Sequence, residues 1–271
     1  MPTPKNARFP LSGPINLSVR LGHGSLTVHA VDDLDEAVVE LTARPGAEDY
    51  LERISIEMSG PTLTVHAPRQ GGVFELFADR PRNQSAVDAV IKVPSGTATK
   101  ISTFTADIVV RGRCGGADIA TATGNTELGD VDGDLRLRYG NASSSVGKVS
   151  GSVTVRSGAG SARFGEIQGS LESGFGSGRL EVDAVRGSVR SRTGTGEARL
   201  GAVYGDVDLA SGTGAMSIGL PAGVTARLDV HTGSGRVRSD LPIQDEPKTT
   251  KGAITVRART GSGDVRLFRA A

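Results

Sequence analysis

The chain has no tryptophan, one cysteine, three tyrosines and seven phenylalanines in 271 residues. The lone cysteine, Cys114, can neither close an internal disulfide nor build a cysteine-rich zinc site. An excess of charge of one sign is missing too: 31 Lys+Arg stand against 30 Asp+Glu, a formal net charge of +1. That balance supplies no global field for nucleic acid or an anionic membrane. No run approaches the ~18 apolar residues of a membrane-spanning helix. The opening Met1-Pro-Thr-Pro-Lys-Asn-Ala-Arg8 leads into no apolar segment of the signal-peptide kind. The expectation is a soluble, cytoplasmic protein with no membrane span and no nucleic-acid partner. Hydrophobic residues reach only 37%, below the usual ~45–50%, so any core must be thin.

Glycine is what the chain has in excess: 38 residues, about twice the usual ~7%. No strict G-x-y triplet accompanies the 12 prolines, which excludes collagen. Instead the glycines recur every 18 residues, in rungs that open at Gly129, Gly147, Gly165, Asp183 and Gly201. A second set falls at Gly133, Gly151, Gly169, Gly187 and Gly205, and a third at Gly140, Gly158, Gly176, Gly194 and Gly212. A fourth holds Gly160, Gly178, Gly196 and Gly214, with Ala142 in the first copy. Apolar positions keep the same period: Val131, Val149, Ile167, Val185, Val203; Leu135, Val153, Leu171, Val189, Val207; Val146, Phe164, Val182, Leu200, Ile218. Within a rung, as in Gly151-Ser-Val-Thr-Val-Arg-Ser-Gly158, apolar and polar residues alternate. Period 2 with β-branched residues is a strand signature, and the glycines fall where turns are needed.

One such strand–turn–strand unit cannot bury its apolar face alone, but a stack of them can. The spacing therefore predicts an all-β protein, a single parallel β-solenoid (β-helix-like) of about ten coils with Val, Leu and Ile ladders inside. One domain is expected over 11–268. It would hold irregular N-terminal coils at 11–92, regular repeats at 93–220 and irregular C-terminal coils at 221–268. A loop with Phe74, Leu76 and Phe77 is expected at 69–85, a short helix at Ala47–Arg53, and a proline-containing excursion at Leu241–Lys248.

Three segments carry a resemblance: Gly151-Ser-Val-Thr-Val-Arg-Ser-Gly-Ala-Gly160, Gly205-Asp-Val-Asp-Leu-Ala-Ser-Gly-Thr-Gly214 and Leu220-Pro-Ala-Gly223. With Val93-Pro-Ser-Gly96 and Ile101-Ser-Thr103 they make the chain resemble the bacterial family DUF4097, the "putative adhesin" β-strand repeat family. The resemblance spans about residues 11–268 and implies a repeat architecture without assigning a catalytic or ligand-binding residue.

Several residues invite chemistry. Asp130-Val-Asp132-Gly-Asp134 alternates carboxylates around a glycine, but Asn141 stands where a calcium loop needs its closing Glu, and the next copy reads Lys148, Ser150, Ser152. His23, His29, His66 and His231 are dispersed without metal-ligand spacing. Cys114 has no partner that marks it as a nucleophile. The Ser-Gly-x-Gly segments lack the lysine and helix of a phosphate loop. Charges at equivalent positions stack: Arg179 falls beneath Glu197, Arg163 beneath Glu181 and Arg190 beneath Asp208. Arg138, Arg156 and Arg192 share a column of like charge, read as a solvated face.

These residues predict no catalytic, cofactor-binding or metal site and no cofactor. The function they favour is a non-enzymatic structural or interaction module that binds a partner or itself through sheet faces or open ends. The alternative is a carbohydrate-active parallel β-helix enzyme, which wants grouped carboxylates and aromatic platforms. The rung through Val265 and Leu267 is the last copy in the sequence. It is the expected open end for a protein partner or self-association, against the alternative that Arg257, Arg259, Arg266 and Arg269 on its outer positions keep it monomeric.

Overall fold

A computed structural model describes residues 4–68, 85–241 and 253–270. The loop expected around Phe74–Phe77 and nearly all of the Leu241–Lys248 excursion lie outside those residues. The described residues form 20 strands and one five-residue helix, so the protein is all-β. Its contacts gather into two units, Met1–Asp132 and Gly133–Ala271.

The first unit opens with β1 (Lys5–Pro10), β2 (Asn16–Val31) and β3 (Glu36–Ala43). Helix α1 (Glu48–Glu52) follows the Pro45-Gly46 turn, inside the expected Ala47–Arg53 span. It buries Tyr50 and Leu51. Then come β4 (Ser55–Ser59), β5 (Thr62–His66), β6 (Ala86–Pro94), β7 (Ala98–Cys114), β8 (Ala117–Thr123) and β9 (Thr126–Val131). Spatial order departs from chain order here. The first half of β2 lies parallel between β5 and β7, and its second half lies parallel between β6 and β7. The β5–β6 row ends in antiparallel strands: β4 lies on β5, β3 on β6, and β1 on β3. Residues 29–92, expected to be irregular, thus include antiparallel cover among their described part. Such strands occupy the hydrogen-bonding row that a parallel stack would leave open.

Strands β8 and β9 lie parallel on β7 with an 18-residue offset, from Thr99↔Ala117 to Val110↔Leu128. Beyond Val110 the register slips, and Arg113 faces Asp130. Gly112 sits in the slip with φ of 87°. A side chain there would collide with the Ala30 carbonyl, so glycine permits the bulge.

The second unit contains β10 (Leu135–Asn141), β11 (Ser144–Val146), β12 (Val153–Ile167), β13 (Leu171–Val185), β14 (Val189–Val203), β15 (Val207–Thr213) and β16 (Met216–Leu220). These pair in parallel at the offset of the sequence repeat: Val153↔Leu171, Leu171↔Val189 and Val189↔Val207. The apolar sets read from the sequence become buried ladders. Val153, Leu171, Val189 and Val207 are each 1% exposed, as is Leu267, which continues the ladder of Phe164, Val182, Leu200 and Ile218. Burying a Val or Leu side chain is worth roughly 1.5–3 kcal/mol, and every rung adds several.

The chain then leaves the repeat. β17 (Ala226–Ser234) and β18 (Val237–Ser239) form one row, and β19 (Ile254–Ser262) and β20 (Val265–Arg269) another. The later row lies between the earlier two. β19 pairs with β15 and β17, and β20 with β16 and β18. The rung through Val265 and Leu267 was expected to be the open end, and that expectation is corrected: Val265 faces Met216 on one side and Val237 on the other. In the second unit, the row without a second neighbour among the described residues is β17–β18. Its inward-facing Leu228 and Val230 are only half-buried, and Val237 is 47% exposed.

Candidate functional site

In the second unit the outward residues of parallel strands stand in columns about 4.8 Å apart from rung to rung. One column reads Arg136, Thr154, Glu172, Arg190, Asp208, Arg257, Asp229. Two residues further along each strand lies Arg138, Arg156, Gly174, Arg192, Ala210, Arg259, His231. Direct neighbours and diagonal neighbours both pair. Arg190 is 3.7 Å from Asp208, whereas Arg192 reaches the same carboxylate diagonally at 2.6 Å. Arg156 reaches diagonally to Glu172 at 3.3 Å, and Arg259 to Asp229 at 3.0 Å. The column of like charge formed by Arg156 and Arg192 is thus neutralised from the side. Considering diagonal neighbours, which long side chains can span, would have revealed this in the sequence. The stacked pairs expected from the repeat are present: Arg179–Glu197 at 2.8 Å and Arg163–Glu181 at 3.4 Å.

Another column explains Asp134. Asp134 Oδ1 accepts the Ser152 N–H at 2.8 Å, Ser152 Oγ accepts the Ser170 N–H at 3.2 Å, and Ser170 Oγ accepts the Ser188 N–H at 3.2 Å. Asp206 Oδ1 likewise accepts the Thr255 N–H at 2.7 Å. Each side chain caps a corner amide of the adjacent rung, a donor that the strand ladder leaves unpaired. Asp134 is therefore engaged by the backbone, which accounts for it without calcium. Among the described residues, no group of three or more His, Cys, Asp or Glu could hold a metal ion.

The histidines remain apart. His66 Nε2 is 3.1 Å from Ser18 Oγ, and His23 Nδ1 is 3.0 Å from Ser85 Oγ with its ring edge-on to Phe104. His29 lies on β2, and His231 on β17 faces Arg259. Cys114 is 2% exposed, and burial pushes its thiol up to about 11, the reverse of an activated nucleophile. Among the described residues, two carboxyls are displaced from their ordinary values, both downward. Arg44 holds Asp88 low and Arg192 holds Asp208 low, each through hydrogen bonds that favour the ionised form. Asp88 also accepts from Ser25 Oγ at 2.7 Å.

Arg186 adds an aromatic contact that the repeat does not foretell. It pairs with Glu166 at 3.0 Å and lies 4.2 Å from the centre of the Tyr204 ring. Tyr204, 38% exposed, is thereby held flat beneath a cation. Among the described residues, no helix is long and apolar enough to cross a membrane.

No family model matches the chain, and no curated protein matches it. Solved structures do. The crystal structure of a "putative adhesin" from Bacteroides fragilis matches at TM-score 0.51 and 12% identity, over 98% of this chain and 97% of that one. A "putative adhesin" from Parabacteroides distasonis matches at TM-score 0.44 and 12% identity, over 98% and 97%. The first likeness shows a shared fold.

Proposed function

We propose that this chain is a non-enzymatic structural and interaction module of the "putative adhesin" β-repeat type, the family DUF4097, built as one parallel β-solenoid over 11–268. It binds a partner, or itself, through its sheet faces or open ends. The observation that carries this reading is the outward surface of the second unit, where equivalent residues recur from rung to rung at strand spacing. A surface with that period matches a partner that is itself extended or repetitive. The fold shared with the Bacteroides protein supports the same reading.

The competing reading is a glycan-cleaving β-helix enzyme. A general acid in such a site needs a carboxyl held above its ordinary range. Asp88 and Asp208 are held below theirs by arginines. Glu172, Glu181 and Glu197 are each paired with an arginine rather than grouped with one another. The module requires no cofactor. Protein or carbohydrate partners suit the balanced surface better than nucleic acid does. Its location is the cytoplasm, which cell fractionation tests. Two assays with purified protein decide the function: a binding screen against glycans and host-cell extract, and a turnover screen against polysaccharides including polyuronates. Saturable binding without turnover is the expected result. Cleavage of any glycan by the pure protein overturns the proposal.

A further inference from the structure

Among the described residues the β17–β18 row has a neighbour on one side only, and the hydrogen-bond alternation shows which groups face the other side. Ile254 N–H donates to Thr225 C=O, and β17 runs parallel to β19 from Ala226↔Ile254 to Thr232↔Thr260. In a parallel ladder, alternate residues turn both backbone groups toward one neighbour. Arg227, Asp229 and His231 therefore bond toward β19. Ala226, Leu228, Val230 and Thr232 turn their N–H and C=O groups to the open side. The same four residues point their side chains inward, where they are only half-buried.

We infer that this edge is a homodimerisation surface, formed by antiparallel pairing of β17 with β17 of a second copy about a two-fold axis at Leu228. The strand is self-complementary in that register. Leu228 faces Leu228, and Ala226 faces Val230, so apolar residues meet at each central inward pair. On the outward face Arg227 stands opposite Asp229, twice by symmetry, at the closer non-hydrogen-bonded positions. Arg227 is exposed and has no ion pair of its own among the described residues. Neighbouring registers are worse matched. An axis at Asp229 sets two carboxylates face to face, and one at Val230 sets Arg227 against Gly233. The two-fold arrangement is isologous, so it closes at two copies.

This inference deepens the interaction-module reading and rests on it. Sedimentation or light scattering across a concentration series tests it with the full chain. The wild type should pass from monomer to dimer as concentration rises. Arg227→Glu places a carboxylate opposite Asp229 and should raise the dimer dissociation constant at least tenfold. Val230→Pro removes an open-side N–H while sparing the ladder to β19, and should act similarly. Arg136→Glu, an exposed change on β10, should leave the constant unchanged. Melting curves confirm that each variant is folded. If Val230→Pro proves unfolded, the exposed Arg227→Glu still decides. A wild type that is monomeric at every concentration overturns the inference. A dimer indifferent to Arg227→Glu, or assembly beyond two copies, also overturns it. These failures leave the module reading standing. Glycan turnover would remove that reading without touching the dimer.

Discussion

Two glycine columns in the second unit look alike in sequence and differ in cause. Gly160, Gly178, Gly196 and Gly214 have φ between 131° and 158°, a region closed to other residues. In the neighbouring column, Gly194 has no positive φ, but a Cβ there would lie 2.6 Å from the Gly176 carbonyl oxygen. The first column needs glycine both for its backbone and for its space, since a Cβ at Gly196 would collide with the Gly178 carbonyl, and the second needs it for space alone. Gly196→Ala should therefore destabilise by more than the ~1 kcal/mol of ordinary glycine replacement, and Gly194→Val should as well. Thermal melts of both variants measure this, and unchanged melting temperatures would contradict the stacked corners. Cys114 offers a second residue-scale check. With its thiol pushed up to about 11 and its side chain buried, it should resist thiol reagents at neutral pH in the native protein and react once denaturant is added.

Among the elements, β6 carries a pH-sensitive contact. Arg44 Nη2 donates to Asp88 Oδ1 at 2.7 Å and keeps that carboxyl ionised below its usual range. A group with a depressed folded-state value adds stability that is complete above the unfolded value of ~3.9. That contribution fades as pH falls toward the folded value. Asp88→Asn should therefore melt below wild type near neutral pH, and the gap should narrow by about pH 3. Melts of both proteins at the two pH values show it. Much at this scale was legible in the sequence. The ladders of Val153 and Phe164 and the Arg179–Glu197 pair follow from the period, and the helix from the Pro45-Gly46 turn before it. The diagonal pairs of Arg156 and Arg192 were missed because the repeat was read straight up its columns. The Arg186–Tyr204 contact has no counterpart in the other copies, so no period could announce it.

At the scale of the whole molecule, what the sequence concealed was the order of rows. A period shows which residues share a column but not which rung lies beside which. Nothing in Leu17–Val28 says that its row lies between β5–β6 and β7. Nothing in Ile254–Leu267 says that its row is covered on both sides. That placement reverses the meaning of one experiment. Val265→Lys with Leu267→Pro was the natural way to disrupt an open end. Val265 is 0% exposed and Leu267 1%, so the pair of changes should instead destabilise the fold. The cost should be several kcal/mol, through a buried charge and a lost ladder bond. A large drop in melting temperature checks this, and a folded variant near wild-type stability would contradict it.

The same wedged row sets a timetable for synthesis. Ala226–Ser239 leaves the ribosome before Ile254–Arg269, the row on which it lies. The rungs of β12 to β16 can dock as they emerge, each on the one before, but β17–β18 must wait for a partner not yet translated. During that interval the lower face of β15–β16 is bare as well, since β19–β20 will cover it. Assembly of this end is therefore a late, concerted closing of two rows, and the nascent chain carries an unpaired strand until it is done.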